Sequence, residues 1–265
     1  MFQRLTPTVK SLLIINIGIY FLDSVLHIDL SRWLGLKYIL ADTFMPYQFV
    51  TYMFLHASWM HVFSNMFALF MFGPLLEQFW GPKKFLIFYM VTGLGSGLLY
   101  SGTHYFEVHK LQVATENYIQ HPGADEYSNL IASNRSVFNY FTPTNQIESS
   151  LYDHPNDPAV VEESVGFVSQ VYQLISNIPM VGASGSVFGI LMAFGMLFPN
   201  TILMLLFPPI PIKAKYFVAI YGLFELYSGL HKSPGDNVAH FAHIGGMLIA
   251  FFLIKYWQKK DKRFY

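Results

Sequence analysis

The sequence predicts an all-α polytopic membrane protein with six transmembrane helices and one long polar insertion. Of its 265 residues, 53% are hydrophobic and only 12% are charged, whereas about a quarter of a soluble domain is charged. Apolar runs of spanning length recur along the chain. A polar stretch at residues 107–177 separates the third run from the fourth.

Six apolar runs of about 17–25 residues define the predicted spans. They are residues 11–28, 58–79, 85–106, 178–198, 214–230 and 238–257. Residues 201–212, "TILMLLFPPIPI", carry three prolines and are too short to span. We expect them to form a connector at the membrane interface.

The basic residues predict the orientation of the bundle. Six spans place both termini on one side, and eleven of the 16 Lys and Arg residues fall on that side: Arg4, Lys10, Lys83, Lys84, Lys213, Lys215, Lys255, Lys259, Lys260, Lys262 and Arg263. Basic residues concentrate in cytoplasmic loops. We therefore expect both termini to be cytoplasmic. A separate expectation is that the membrane is a bacterial cytoplasmic membrane.

The polar stretch at 107–177 is predicted to be an extracytoplasmic insertion within a single membrane domain, 1–265. It contains nine acidic and two basic residues. A loop of this length is commonly functional or disordered. Two interpretations stay open: a solvated insertion, or a surface that binds substrates or a partner.

Composition also excludes several kinds of chemistry. The chain has no cysteine, so disulfides, thiolate nucleophiles and cysteine metal sites are absent. Acidic and basic residues balance at 16 each, which gives no reason to expect a nucleic-acid partner. The partners expected are the lipid bilayer and other membrane proteins.

Polar side chains inside predicted spans are expensive, so each is a functional candidate. His61 and Asn65 are four residues apart and share one face of the second helix. His56 and His61 are five residues apart with no glutamate between them, which does not match the HExxH motif of zinc proteases, so no metal is expected. A hydrogen-bonded structural pair is the alternative interpretation.

The fourth and sixth spans carry further candidates. Ser184 lies among small residues near the outer end of the fourth span, within "VGASGSVFG". Gly185 and Gly189 also match the close-packing motif of membrane helices, which needs no catalytic serine. His243 lies near the start of the sixth span, beside a small face at Gly246. A histidine hydrogen-bonded near an interface is its alternative interpretation.

The three spans bring their polar residues to one predicted depth. Ser184 could act as nucleophile and His243 as general base, with His61 and Asn65 as oxyanion donors. We expect no Asp or Glu at a similar depth to orient the imidazole, which predicts a Ser-His dyad rather than a triad. No cofactor is expected.

Four motifs together resemble the rhomboid intramembrane serine proteases. "GASG" at 182–185 resembles the family's G-x-S-G, and "AHIGG" at 242–246 its A-H-x-x-G. "HASWMHVFSN" at 56–65 and "GPLLEQFWG" at 73–81 resemble its second-helix motifs. The resemblance covers essentially the whole chain outside 107–177.

The resemblance implies a six-helix bundle that cleaves transmembrane-protein substrates near the outer membrane boundary. It makes Ser184 the nucleophile and His243 the base. The oxyanion hole would comprise His61, Asn65 and the Ser184 backbone N–H. The supporting residues it implies are Gly182, Gly185, Gly246 and Phe188, the last where the family often has a tyrosine stacked on the histidine.

Two other functions are considered. The family contains non-proteolytic members that bind membrane clients, but these typically lack the serine or the histidine. A transporter would carry ionisable residues near the bilayer midplane. We expect only Glu225 at that depth. The sequence assigns no role to Glu225 or to His240.

Residues 231–237, "HKSPGDN", are predicted to cap the site.

Overall fold

The computed structural model describes residues 5–141, 143–204, 209–231 and 238–260. The helices, in chain order, are α1 Pro7–Leu26, α2 Ser31–Leu34, α3 Gln48–Thr51, α4 Trp59–Trp80, α5 Pro82–Gln120, α6 Ala124–Ser133, α7 Arg135–Phe138, α8 Thr144–Asp153, α9 Pro158–Ser176, α10 Ser184–Leu197, α11 Ala214–Leu230 and α12 His240–Lys260. A 3₁₀ turn, Tyr52–Phe54, follows α3.

The chain forms two compact units. The membrane unit comprises Met1–Leu36, Phe44–Gly102 and Pro179–Tyr265, and the insertion unit comprises Lys37–Thr43 and Thr103–Ile178. The predicted insertion at 107–177 therefore lies in the second unit, which also takes in a short segment before α3. Apart from His231, the predicted cap at 231–237 lies outside the described residues.

Within the described ranges, four helices are long and apolar enough to cross a membrane: α1, α4, α5 and α12. They correspond to the first, second, third and sixth predicted spans. Helices α10 and α11 are shorter, at 14 and 17 residues. Length alone therefore supports four spans, and the count of six stays a prediction.

Two predicted spans and the predicted connector differ markedly from the observed elements. The third predicted span continues as one helix of 39 residues to Gln120, past the predicted end at 106. The fourth begins at Ser184 instead of residue 178. At the predicted connector, 201–212, Ile202–Met204 pairs with Pro211–Lys213 as two antiparallel strands, a small exception to the all-α prediction.

The first turn of α1 is anchored by a carboxylate of α4. Glu77 is 2% exposed and accepts backbone N–H bonds from Thr8 and Val9, each 2.9 Å long. The first N–H groups of a helix have no intrahelical partner, and a negative charge there is favourable. Glu77, in the "GPLLEQFWG" stretch, thus accepts hydrogen bonds from the unpaired N–H groups at the start of α1, where α1 packs against α4.

Glycines bring α5, α10 and α12 into backbone contact. A β-carbon added at Gly246 would overlap the carbonyl oxygen of Gly185, and one at Gly185 would overlap the Ser96 hydroxyl. A β-carbon at Gly189 would lie 2.8 Å from Thr92. The Ser96 hydroxyl donates to the Ala242 carbonyl at 2.6 Å, tying α5 to the start of α12. The predicted small-residue motifs are packing surfaces.

The insertion unit has an apolar core of its own. Its buried side chains come from α5, α6, α7, α8 and α9: Leu111, Tyr118, Tyr127, Leu130, Phe138, Ile147, Leu151, Val168 and Val171. Tyr118 and Ser164 share a buried hydrogen bond of 2.6 Å. The insertion is therefore a folded helical unit, although its sequence is rich in acidic residues.

Replacing Gly246 with alanine is expected to lower the free energy of unfolding by about 1–3 kcal/mol, because the added methyl forces α12 away from α10. The measurement is thermal unfolding in detergent. Gly102→Ala is the matched control, since Gly102 is a helical glycine of α5 with open space around it. The control should match the wild type or gain up to about 1 kcal/mol. Equal losses in the two variants would contradict the packing role of Gly246.

Candidate active site

An extended segment leads the chain to Ser184. Leu36 and Met180 exchange two backbone hydrogen bonds of 2.9 and 2.8 Å, and the Gly182 N–H donates to the Tyr52 carbonyl at 2.9 Å. These N–H groups are therefore unavailable to a helix. Helix α10 begins only at Ser184, which lies in its first turn.

Gly182 has a conformation that other residues rarely adopt. Its φ is +136°, and an added β-carbon would lie 2.8 Å from the His61 ring. The backbone must pass close to this ring just before the serine. Glycine is needed at position 182 both for the positive φ and for the close approach to the His61 ring.

Ser184 and His243 form a direct side-chain contact. The His243 Nε2 lies 2.8 Å from the Ser184 Oγ. His243 is buried in the first turn of α12, whereas Ser184 is partly exposed. The Phe188 ring stacks on the imidazole with centroids 4.1 Å apart and planes 9° apart. The structure thus brings together three residues selected from the sequence, and the stack fixes the plane of the imidazole.

The expectation that no carboxylate lies near the imidazole was wrong. The Glu225 Oε2 lies 2.8 Å from the His243 Nδ1, and the Glu225 side chain is buried. The depth expected for Glu225 was near the bilayer midplane, but α11 ends at Leu230. Glu225 is five residues from that end, about 7.5 Å along the helix axis, and so reaches the depth of His243.

His240 contacts the same carboxylate. Its Nδ1 lies 2.6 Å from the Glu225 Oε2. Ligand atoms of Glu225, His240 and His243 lie within 4.8 Å of one another, and two histidines with one glutamate are a ligand set of catalytic zinc sites. Among the residues that the structure describes, these three are therefore a group that could hold a metal. Hydrogen bonds to the shared carboxylate oxygen account for the same arrangement without an ion.

Candidate oxyanion donors come from α4 and from the start of α10. The His61 ring faces Gly182, and Asn65 is buried one turn further along α4, where its Nδ2 donates to the His61 carbonyl at 3.1 Å. The first helical bond of α10 runs from the Val187 N–H to the Ala183 carbonyl. The N–H groups at the start of α10, including that of Ser184, precede this bond and have no partner within the helix.

Ser186, the second serine of the motif, has a packing role. It is fully buried, and its hydroxyl donates to the Tyr89 carbonyl of α5 at 2.7 Å. A serine that donates to a helix carbonyl satisfies its own polar group inside an apolar interface. Of the two serines, Ser184 has the histidine partner.

His56 lies before α4 and is packed against the site. Its ring meets the His61 ring edge to face at 5.0 Å, an arrangement open to it because α4 begins only at Trp59. Burial, followed by the nearby His61, lowers the pKa of His56 to about 3. His56 therefore stays neutral and supports the position of His61 through packing.

The sequence of this chain is similar to those of known proteins. A family model for the rhomboid domain matches residues 43–108 and 160–259, more than half of the chain. The chain belongs to the rhomboid family. "Rhomboid-like protein 11, chloroplastic" from Arabidopsis thaliana is 38% identical over 88 residues, which are 33% of this chain and 30% of that protein.

The rhomboid family model matches fewer residues near the N-terminus, and more residues of the insertion, than the resemblance implied. It starts at residue 43, and it resumes at 160, inside the stretch 107–177 that we expected to lie outside the family. Most of α9 is therefore rhomboid sequence. The four helices of spanning length, with this family, make the chain a membrane protein.

Gly182→Ala is expected to destabilise the rhomboid domain by about 1–3 kcal/mol, because alanine is strained at this φ and its methyl meets the His61 ring. Thermal unfolding in detergent provides the measurement. Gly166→Ala serves as control, because Gly166 is helical with open space around it. The strain at Gly182 is contradicted if its alanine variant unfolds at the temperature of the control.

Proposed function

We propose that the chain is an intramembrane serine endopeptidase that cleaves transmembrane proteins near the outer membrane boundary. The observation that carries the proposal is the 2.8 Å contact between the Ser184 Oγ and the His243 Nε2. A serine hydroxyl is a weak nucleophile until a base within about 2.6–3.2 Å takes its proton. Family membership supports the same reaction class.

In the proposed reaction the Ser184 Oγ attacks a peptide carbonyl while His243 accepts the hydroxyl proton at Nε2. The oxyanion is stabilised by the Ser184 N–H with His61 and Asn65. His243 then protonates the leaving amine. A water molecule, deprotonated by His243, attacks the ester carbonyl, and the proton returns to Ser184 as the second product leaves. The partial exposure of Ser184 gives this water access.

The proposed substrates are transmembrane proteins whose helices unwind easily at the cleavage site. A carbonyl inside a helix is already hydrogen-bonded and shielded. Glycine or proline near the outer boundary would release such a carbonyl. A small residue before the cut fits a site in which backbones approach closely around Gly182.

The six-span topology is part of the proposal. Helix α11 exposes large apolar side chains along its outer side, including Ile220, Leu223 and Leu230, and buries Glu225. This distribution suits a lipid-facing helix. Helix α10 packs against α4, α11 and α12, so that surrounding helices cover it and its ends need not face lipid.

The proposed location is the bacterial cytoplasmic membrane with cytoplasmic termini, and the distribution of Lys and Arg supports this orientation. The plant relative is named chloroplastic. Finding this protein in a plastid membrane would overturn the bacterial part of the proposal and leave the chemistry intact.

Serine-directed fluorophosphonate is expected to label the wild-type protein in detergent and to leave Ser184→Ala and His243→Ala unlabelled, because the first removes the nucleophile and the second its base. Gel fluorescence after labelling is the readout. Ser186→Ala is the matched serine control and should still be labelled. Labelling that survives Ser184→Ala would contradict the proposal. An unlabelled but folded wild type would favour the non-proteolytic client-binding function.

Asn65→Ala is expected to lower the turnover of a transmembrane substrate by about 10²–10³, the usual cost of losing one oxyanion donor. Cleavage in detergent, followed by gel electrophoresis, gives the rate. Ser64→Ala is the matched control, because Ser64 donates to the same His61 carbonyl as Asn65 but is exposed. Equal rates in the two variants would leave Asn65 with a structural role only.

A further inference from the structure

We infer that Glu225 is a positioning residue that completes a Ser184–His243–Glu225 triad. The inference rests on the proposed function and deepens it. Glu225 would act through His243 and not touch the substrate. It would hold the imidazole in the orientation and tautomer that proton transfer from Ser184 requires.

The three residues come from three helices: Ser184 from α10, Glu225 from α11 and His243 from α12. The Glu225 Oε2 is 2.8 Å from the His243 Nδ1, and the His243 Nε2 is 2.8 Å from the Ser184 Oγ. The two nitrogens lie on opposite sides of the imidazole ring. This is the carboxylate–imidazole–hydroxyl order of a serine triad.

The packing of α11 on α12 is built around this contact. A β-carbon at Gly222 would lie 2.9 Å from Met247, and one at Gly229 would lie 3.2 Å from His240. These glycines are three residues before and four residues after Glu225, on the same helix face. The two small residues let α11 approach α12 one turn to either side of the carboxylate. Glu225 therefore lies on the contact face itself.

The shared carboxylate oxygen determines where the protons lie. The Glu225 Oε2 is within hydrogen-bond distance of two ring nitrogens, on His240 and on His243. It can accept from both only if it carries no proton. Each Nδ1 is then a donor. A neutral His243 with its proton on Nδ1 has an unprotonated Nε2, and this is the atom that faces Ser184.

His240 fixes the carboxylate from a second side. Its ring is buried and lies one turn before His243 on α12. A carboxylate inside a membrane domain is costly unless it is hydrogen-bonded. Two donors from a single helical turn offset this cost and hold the Oε2 in place. His240, like Glu225, would act on Ser184 through His243.

The carboxylate has its largest effect after proton transfer. When the Ser184 Oγ proton moves to Nε2, both nitrogens of His243 are protonated and the ring is a cation. The Glu225 carboxylate keeps its own charge and attracts this cation. No proton moves to Glu225. Glutamine at 225 keeps the shape of the side chain but loses this attraction, and its amide can reverse the tautomer.

The test measures the rate of fluorophosphonate labelling at Ser184 against probe concentration, which separates the maximal rate, kinact, from the half-saturating concentration, KI. For Glu225→Gln in the full-length protein, kinact is expected to fall by about 10²- to 10⁴-fold, with KI unchanged. Glu225→Asp keeps the charge and should recover part of the loss.

Glu77→Gln is the matched control, because Glu77 is another buried glutamate that accepts two backbone bonds at the start of α1. It should keep the wild-type kinact. Thermal unfolding identifies folded variants. Should Glu225→Gln not fold, Glu225→Asp decides. Aspartate is one methylene shorter and draws the carboxylate away from the His243 Nδ1, so a fall in kinact in folded protein supports the triad and an unchanged kinact overturns it.

Two results overturn the inference while the proposed function stands. One is labelling of Ser184 in folded Glu225→Gln at the wild-type kinact. The other is loss of wild-type labelling with 1,10-phenanthroline and its recovery with Zn²⁺, which would make Glu225, His240 and His243 a metal site. Absence of labelling at Ser184 in the wild type is a different result, because it contradicts the proposed function.

Discussion

The geometry of the candidate site depends on the contact between the backbones of α10 and α12. Gly246 lies directly on the carbonyl of Gly185, with no side chain between the two helices. Ser184 precedes Gly185 by one residue, and His243 precedes Gly246 by three, almost one helical turn. A separation set at the glycines is therefore transmitted to the serine and the histidine, whose side chains are short and rigid enough to preserve it.

The polar groups beside this contact form a connected set inside an apolar bundle. The Glu225 carboxylate lies within hydrogen-bond distance of two imidazoles, and His243 links the carboxylate to Ser184. Such a network is stabilising only when its members are satisfied, since an unpaired buried charge is expensive. The stack of Phe188 on His243 covers one face of the ring and restricts its rotation. Packing and hydrogen bonding thus constrain the same imidazole.

Much of this arrangement could be predicted from the sequence. Ser184, His243 and Phe188 were selected from spacing and resemblance, and the structure brings them into contact. The start of α10 was missed because Leu36 and Tyr52, which hold the extended segment, lie more than a hundred residues away. Glu225 was missed for a different reason. Its depth was judged from hydropathy, whereas its contact depends on how α11 is rotated against α12. The only local signal was Gly222 and Gly229 on either side of it.

The short length of α10 has a direct consequence for the chemistry. A helix beginning at residue 178 would pair the Ser184 N–H with a carbonyl four residues earlier. Because the segment before Ser184 is extended, its backbone bonds run to Leu36 and Tyr52, and non-helical backbone at membrane depth requires such partners. The N–H groups of the first turn then remain available beside the Ser184 hydroxyl. The feature that shortens the helix is the one that supplies the proposed oxyanion donor.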